Sequence, residues 1–118
     1  MEIRGTKCFY CQTEKETVFH VDHVILLSFV LEDRFWNLVL ACKECNVSKS
    51  DRIPDASHLR DLRVRNAKLI SEFRTNPSSG PLKRDFEAFT ADTLESHIIT
   101  LARNCRDDGF GDWVGRSG

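Results

Sequence analysis

The sequence has no apolar run long enough to form a signal peptide or to cross a membrane. It also has no internal repeat and no low-complexity tract. These absences favour an intracellular, cytoplasmic protein in a reducing compartment. At 118 residues we expect a single compact unit, in the size range where a structural metal adds useful stability.

Net charge is nearly absent as well. The chain has 17 Lys and Arg residues against 18 Asp and Glu residues, which gives −1 at pH 7 and at first argues against a nucleic-acid partner. The charges are unevenly placed, however. Residues 59–84 carry a net charge of +5, and residues 85–118 carry −4. A basic middle and an acidic tail therefore leave nucleic-acid binding open.

Five cysteines are present, and four of them form the Cys-x-x-Cys pairs Cys8/Cys11 and Cys42/Cys45. In a reducing compartment we interpret two such pairs as the ligands of one structural zinc ion, because neither disulfides nor a redox motif explains both pairs. Thirty residues separate Cys11 from Cys42, so the chain must leave the metal and return, most simply as a hairpin. Cys105 is left over and is predicted to be a buried helix residue.

The residues between and after the cysteine pairs predict two strands and a short helix. Thr17–Ile25 and Asn37–Cys42 are rich in β-branched, aromatic and other apolar residues and are predicted to be strands. About two helical turns should follow Cys45 and end near Arg52, because Pro54 cannot continue them. The two strands fill the gap between the cysteine pairs.

The second half of the chain is predicted to be helical. Apolar residues recur at helical spacing across Ser57–Thr75, and a run of helix-breaking residues follows. Pro81 should open a short turn. Asp92 and Glu95 have the spacing of a capping box, which predicts a last helix that ends near Gly109.

A second set of polar residues, Asp22, His23, Asn37 and Asn46, is interleaved with the cysteines. One carboxylate, one imidazole and two amides make an open, oxygen-rich site rather than a closed thiolate cage. Histidine can act as a general base near neutral pH, and Asp22 and Asn46 offer the few oxygen ligands that Mg²⁺ tolerates. Phosphodiester hydrolysis needs both functions. Adjacent strand residues face opposite ways, so the strand must end or twist at Asp22 and His23.

The strings CFYC, HVDHVILLSF and WNLVLACKECNVSKSDRIP occur in this order between Lys7 and Pro54. In this part the chain resembles the HNH endonuclease family. The resemblance implies an α+β fold with a small ββα-metal, treble-clef-like core and a structural zinc. We assign the core to residues 1–54 and a helical extension packed on it to residues 55–118.

The resemblance also implies roles for individual residues. His23 would be the general base, and Asp22 and Asn46 would bind a catalytic Mg²⁺ or Mn²⁺ ion. Asn37 would tie the loop to the second strand, and Lys49 would face the nucleic-acid backbone. The third position of the motif is often histidine in the family and is asparagine here.

The partner implied is DNA, and Lys49 and the basic residues Arg60, Arg63, Arg65 and Lys68 are candidate contacts to its backbone, although the last four can also form an ordinary solvated helix face. Three functions stay open at this point. The chain can be a DNA endonuclease, the nuclease subunit of a restriction or phage-defence assembly, or a non-catalytic zinc module that docks on nucleic acid or protein. The remaining histidines, His20, His58 and His97, match no required position and are predicted to be structural.

Overall fold

The computed structural model describes residues 7–14, 18–26, 30, 33–76 and 80–115, without the side chain of residue 81. In chain order its elements are strand β1 (His20–His23), a 3-10 helix (Phe35–Asn37), strand β2 (Leu38–Ala41), helix α1 (Lys43–Lys49), strand β3 (Ile53–Pro54), helix α2 (Ala56–Thr75), helix α3 (Gly80–Phe86), helix α4 (Ala91–Asp107) and strand β4 (Asp112–Trp113). Small sheets and a helical C-terminal half confirm the α+β prediction. No helix in the described ranges is long and apolar enough to cross a membrane.

Strands β1 and β2 pair antiparallel, with Asp22 opposite Val39. Side chains alternate between the two faces of a strand, so Asp22 and Val39 point into the protein while Val21 and Leu40 beside them are exposed. The predicted hairpin between the cysteine pairs is therefore confirmed, with narrower bounds. The predicted strand start at Thr17 lies outside the described residues.

Helix α1 begins at a zinc-ligand candidate. Cys42 is its N-cap, and the Cys42 sulfur accepts a hydrogen bond from the backbone N–H of Cys45. Cys45 and Lys49, four residues apart, form the buried face of the helix. The helix ends at Lys49, three residues before the predicted end, because Ser50 adopts a positive φ of 51°.

Helices α2 and α4 pack against each other and form the core of the C-terminal half. Asp55 caps α2, which buries Leu62, Asn66 and Ile70 at successive turns. Helix α4 buries the four residues Leu94, Ile98, Ala102 and Cys105 in the same way. The predicted burial of Cys105 in a helix is confirmed.

Two local predictions were wrong. The segment at Pro81 is the helix α3 rather than a turn. Proline fits the first turn of a helix, because a backbone N–H there would have no hydrogen-bond partner within the helix. The capping box of α4 is formed by Thr90 and Thr93, each of which accepts from the other's backbone N–H. Asp92 and Glu95 instead approach the guanidinium of Arg63 on α2, at 3.4 and 2.5 Å.

The C-terminal end of the chain returns to the cysteine-rich end. Strand β4 pairs parallel with β3. The indole N–H of Trp113 donates to the hydroxyl of Ser48 on α1 at 3.0 Å, and its ring contacts those of Tyr10 and His58. The last described strand therefore packs on the N-terminal region, although the division of the chain after Pro54 stays a prediction.

A buried carboxylate joins helix α3 to the segment before β2. The side chain of Asp85 is fully buried and accepts hydrogen bonds from Arg34 Nη1 at 3.0 Å, from Arg84 Nε at 2.6 Å and from the backbone N–H of Phe35 at 2.7 Å. Burial alone would raise the pKa of Asp85, but these hydrogen bonds outweigh it and lower the pKa below its usual range. The ionised form therefore stabilises the fold.

We predict that Asp85→Asn lowers the free energy of unfolding by about 2 kcal/mol, because the neutral amide loses its charge-assisted hydrogen bonds. A lowered pKa contributes stability above the unfolded value of about 4, and that contribution is lost as pH falls through the folded pKa. Urea unfolding at pH 7 and at pH 3 measures both effects. The variant should resemble wild type more closely at pH 3. Exposed Glu87 supplies the control Glu87→Gln, and an equal loss in both variants at pH 7 would contradict the assignment.

Candidate functional site

The four cysteines of the two Cys-x-x-Cys pairs come together in one cluster. Their sulfur atoms all lie within 4.8 Å of one another, and Cys11 Sγ lies 3.8 Å from Cys42 Sγ. Zinc bound tetrahedrally at about 2.3 Å from each sulfur places the sulfurs roughly 3.8 Å apart. The cluster of Cys8, Cys11, Cys42 and Cys45 thus has the size and ligand set of a structural zinc site.

Backbone N–H groups support the cluster. Cys11 N–H points at Cys8 Sγ at 3.5 Å, and Cys45 N–H points at Cys42 Sγ at 3.4 Å. Such donors stabilise thiolate charge. Burial raises the pKa values of Cys42 and Cys45, so both are thiols unless a metal replaces their protons. Zinc binding at this site therefore releases protons and is coupled to folding.

Asp22 lies beneath the surface in a polar cluster with Tyr10 and Lys49. The phenol of Tyr10 donates to Asp22 Oδ2 at 2.5 Å, and the ammonium of Lys49 lies 3.4 Å from the same oxygen. Lys49 Nζ also donates to the backbone carbonyl of His23 at 3.0 Å. Burial lowers the pKa of Lys49, while the neighbouring Asp22 carboxylate acts to raise it. The cluster holds the end of β1 against α1.

Lys49 was predicted to face a nucleic-acid backbone, and its location is different. Only 1% of its surface is exposed, because the four-residue spacing from Cys45 places it on the inner face of α1. Its contacts are with the carboxylate of Asp22 and the backbone carbonyl of His23. In this structure it therefore holds the predicted catalytic pair in place from the protein interior. A lysine at this position cannot reach an external phosphate without leaving these contacts.

His23 occupies the last position of β1 and is half-buried. Its Nε2 atom lies 2.6 Å from Oδ1 of Asp33, ten residues later in the chain. Adjacent strand side chains face opposite ways, so Asp22 can face inward while His23, at the end of the strand, contacts Asp33.

Asn37 is fully buried and pairs with the chain that follows His23. Its side-chain oxygen accepts from Ile25 N–H at 2.8 Å, and its side-chain nitrogen donates to the Ile25 carbonyl at 2.8 Å. Its own carbonyl accepts from Val24 N–H at 2.9 Å. The amide therefore extends the pairing of the hairpin beyond β1 and ties the loop to the second strand.

Asn46 lies on α1, directly after the cluster residue Cys45, and is half-buried. Within the described part of the chain its side-chain amide has no hydrogen-bond partner, and neither does the second carboxylate oxygen of Asp22. One carboxylate oxygen and one amide oxygen suit a Mg²⁺ ion, which keeps most of its waters. The residue types of Asp22 and Asn46 match the small ligand set of such an ion, and their binding of one stays a prediction. His23 is the adjacent group suited to proton transfer.

The basic residues of α2 have different environments. Arg65 donates to the carbonyls of Leu38 at 2.6 Å and Phe35 at 2.9 Å, and burial lowers its pKa to about 10. Arg63 pairs with the acidic residues of α4. The guanidinium of Arg65 therefore braces the start of β2. The structure corrects the predicted contact of this residue with DNA. Arg60 and Lys68 are exposed.

Two further residues of the site were missed by sequence reasoning. Tyr10, inside the first Cys-x-x-Cys pair, is the partner of Asp22, and Asp33 is the partner of His23. The position of Tyr10 could have indicated its location, because a residue between two metal ligands lies close to the site that they form. Nothing in the sequence indicated Asp33. His58 and His97 contact aromatic rings, consistent with their predicted structural roles, and His20 is exposed.

Residues 8–61 match the family model described as HNH endonuclease. Neither a curated protein nor a solved structure matches the chain. The matched segment contains the four-cysteine cluster, the β1–β2 hairpin and helix α1. This part of the chain is thus similar to an HNH endonuclease domain, which supports a nuclease-type function.

We predict that Cys42→Ser lowers zinc content from near one ion per chain and reduces the yield of folded protein. Cys42 supplies a ligand and also caps α1, and apparent zinc-binding energies of about 10 to 16 kcal/mol are coupled to folding in small domains. Cys105→Ala, which removes a buried thiol outside the cluster, should keep the zinc. Elemental analysis of both purified variants measures the difference. Full zinc occupancy in the Cys42 variant would exclude the cage.

Proposed function

We propose that the protein is a metal-dependent HNH endonuclease that hydrolyses phosphodiester bonds of DNA. The main support for the proposal is the position of His23 and Asp22 next to each other at the end of β1. An outward-facing imidazole and an inward-facing carboxylate are adjacent there, and Lys49 of the zinc-anchored helix α1 contacts both residues. A structural zinc module has no need of this pair.

The reaction follows from the chemistry of these residues. His23 takes the proton from the attacking water, because a neutral imidazole has a ring nitrogen whose lone pair can accept it. A Mg²⁺ ion held by Asp22 and Asn46 would neutralise charge on the phosphate and on the leaving oxygen. Asn37 keeps the chain beside His23 in place through the oxygen and the nitrogen of its side-chain amide. Tyr10 and Lys49 fix the rotamer of Asp22.

We also propose that the chain acts together with a DNA-binding partner, as the nuclease component of a restriction or phage-defence system. Of the five basic residues considered for DNA contact, Lys49, Arg63 and Arg65 are bound to protein groups. Phosphate contacts supply most of the affinity of proteins for DNA. A chain with few exposed candidates gains from a partner that holds the substrate.

The alternative function is a non-catalytic zinc module. It is supported by the contacts of Asp22, whose Oδ2 atom is already satisfied by Tyr10 and Lys49, as in a purely structural carboxylate. The two functions differ in what they require of His23. A docking module does not need its imidazole, whereas the nuclease does.

We predict that His23→Ala lowers the rate of plasmid cleavage by roughly two to four orders of magnitude, because the general base is removed. Zinc content and thermal stability should stay near the wild-type values. Supercoiled plasmid incubated with Mg²⁺ or Mn²⁺, with EDTA as the blank, measures the rate.

His20→Ala is the matched control for this experiment. His20 lies three residues earlier on the same strand and is exposed, so its replacement should leave cleavage unchanged. Equal rates for wild type and His23→Ala would mean that the histidine is not the base, and no metal-dependent cleavage by wild type would favour the docking module.

The exposed residues of α2 give a separate prediction about DNA affinity. We expect the double variant Arg60→Gln/Lys68→Gln to flatten the plot of log binding constant against log salt by about one unit for each phosphate that is no longer neutralised. Arg103→Gln, on the exposed side of α4, should leave the slope unchanged. Fluorescence anisotropy with a labelled duplex over a salt series measures the slopes. Identical slopes in all proteins would show that α2 does not bind the DNA backbone.

A further inference from the structure

We infer that Asp33 is the positioning residue of His23 and that it determines which ring nitrogen acts as the base. The inference deepens the proposed function and rests on it for the catalytic part. Its structural part, the state of the imidazole, can be measured without any cleavage reaction.

The geometry of the pair fixes the roles of its atoms. Asp33 Oδ1 lies 2.6 Å from Nε2 of His23, within hydrogen-bond distance. An ionised carboxylate can only accept a hydrogen bond, so Nε2 must carry the proton in the neutral ring. A neutral imidazole has one N–H and one lone pair. The lone pair is therefore on Nδ1, and Nδ1 is the atom that accepts the proton of the attacking water.

Asp33 is held from the helical half of the protein. Arg84 on α3 donates from Nη2 to the backbone carbonyl of Asp33 at 3.1 Å. The next two residues, Arg34 and Phe35, are both hydrogen-bonded to the buried carboxylate of Asp85. Three consecutive residues, 33–35, are therefore fixed to one short helix. This anchoring allows an exposed side chain to keep a defined direction toward His23.

A carboxylate beside the imidazole also assists the proton transfer. When Nδ1 accepts a proton from water, the ring becomes a cation, and the hydroxide formed adds to phosphorus as the bond to the 3′ oxygen breaks. The Asp33 carboxylate stabilises the cationic ring that forms. The ring then returns its proton to solvent, and the leaving oxygen takes one from water. Asp33 does not touch the substrate in this sequence.

The competing explanation is an incidental surface ion pair. The side chain of Asp33 is 69% exposed, and exposed pairs often contribute little to stability. Stability measurements therefore cannot decide the question. The tautomer of His23 and the split between kcat and KM can, because an incidental pair changes neither.

The first experiment is a long-range ¹H–¹⁵N correlation spectrum of the neutral imidazole of His23, assigned with His23→Ala. In zinc-loaded wild type we expect the Nε2–H tautomer alone. In Asp33→Ala the spectrum should move to the tautomer mixture of an unconstrained imidazole, and Asp33→Asn, which keeps an acceptor oxygen, should lie between. Glu87→Ala removes an exposed carboxylate close to α3 and should match wild type. An Asp33→Ala spectrum identical to that of wild type would overturn the inference.

The second experiment measures cleavage by the same proteins. Asp33→Ala should lower kcat by about tenfold to a hundredfold, because part of the general-base contribution is removed, with KM for the DNA unchanged. Asp33→Asn should recover part of kcat. A wild-type kcat in Asp33→Ala would overturn the catalytic role. If wild type itself does not cleave DNA, the proposed function fails, while the spectrum still decides whether Asp33 fixes the ring.

Discussion

The requirement that four sulfur atoms meet around one ion constrains everything near the site. Cys8 and Cys42 belong to segments that are far apart in sequence, and the cage can close only if the chain between them turns back on itself. The β1–β2 hairpin provides that return. The same closure places Cys42 at the N-cap of α1, so the ligand that completes the cage also starts the helix that carries Asn46 and Lys49. Zinc bound at the cluster would thus couple metal binding to the folding of this part of the chain.

The polar cluster of Asp22, Tyr10 and Lys49 explains how a carboxylate can be buried inside a small domain. A buried charge without a partner is costly, so an inward-facing Asp22 needs compensation. Lys49 supplies the opposite charge, and burial together with the Asp22 carboxylate raises the pKa of the Tyr10 phenol, which therefore donates rather than ionises. Both partners use Oδ2 only. The arrangement neutralises the site while leaving one oxygen without a described protein partner.

The sequence predicted best the features that are local or periodic. The cysteine spacing, the strand after it and the long helix Ala56–Thr75 each follow from residues close together in the chain. Prediction was wrong where a tertiary partner decided the outcome. Lysine is exposed by default, yet Lys49 is buried because Asp22 lies across from it. Asp92 and Glu95 have capping-box spacing, but Arg63 of a neighbouring helix attracts both. Asp33 lies ten residues after His23, and no spacing rule connects them.

The helical half contributes to the site through charge rather than through catalytic groups. Arg65 of α2 braces the carbonyls of Phe35 and Leu38, and Asp85 of α3 binds the N–H of the same Phe35. The short segment that precedes β2 is therefore held on its carbonyl side by one helix and on its N–H side by another. Its two ends carry Asp33 and Asn37, which contact His23 and the loop that follows it. The basic character of residues 59–84 thus serves partly to orient this segment, which explains why a charged sequence can leave few basic groups for a polyanionic substrate.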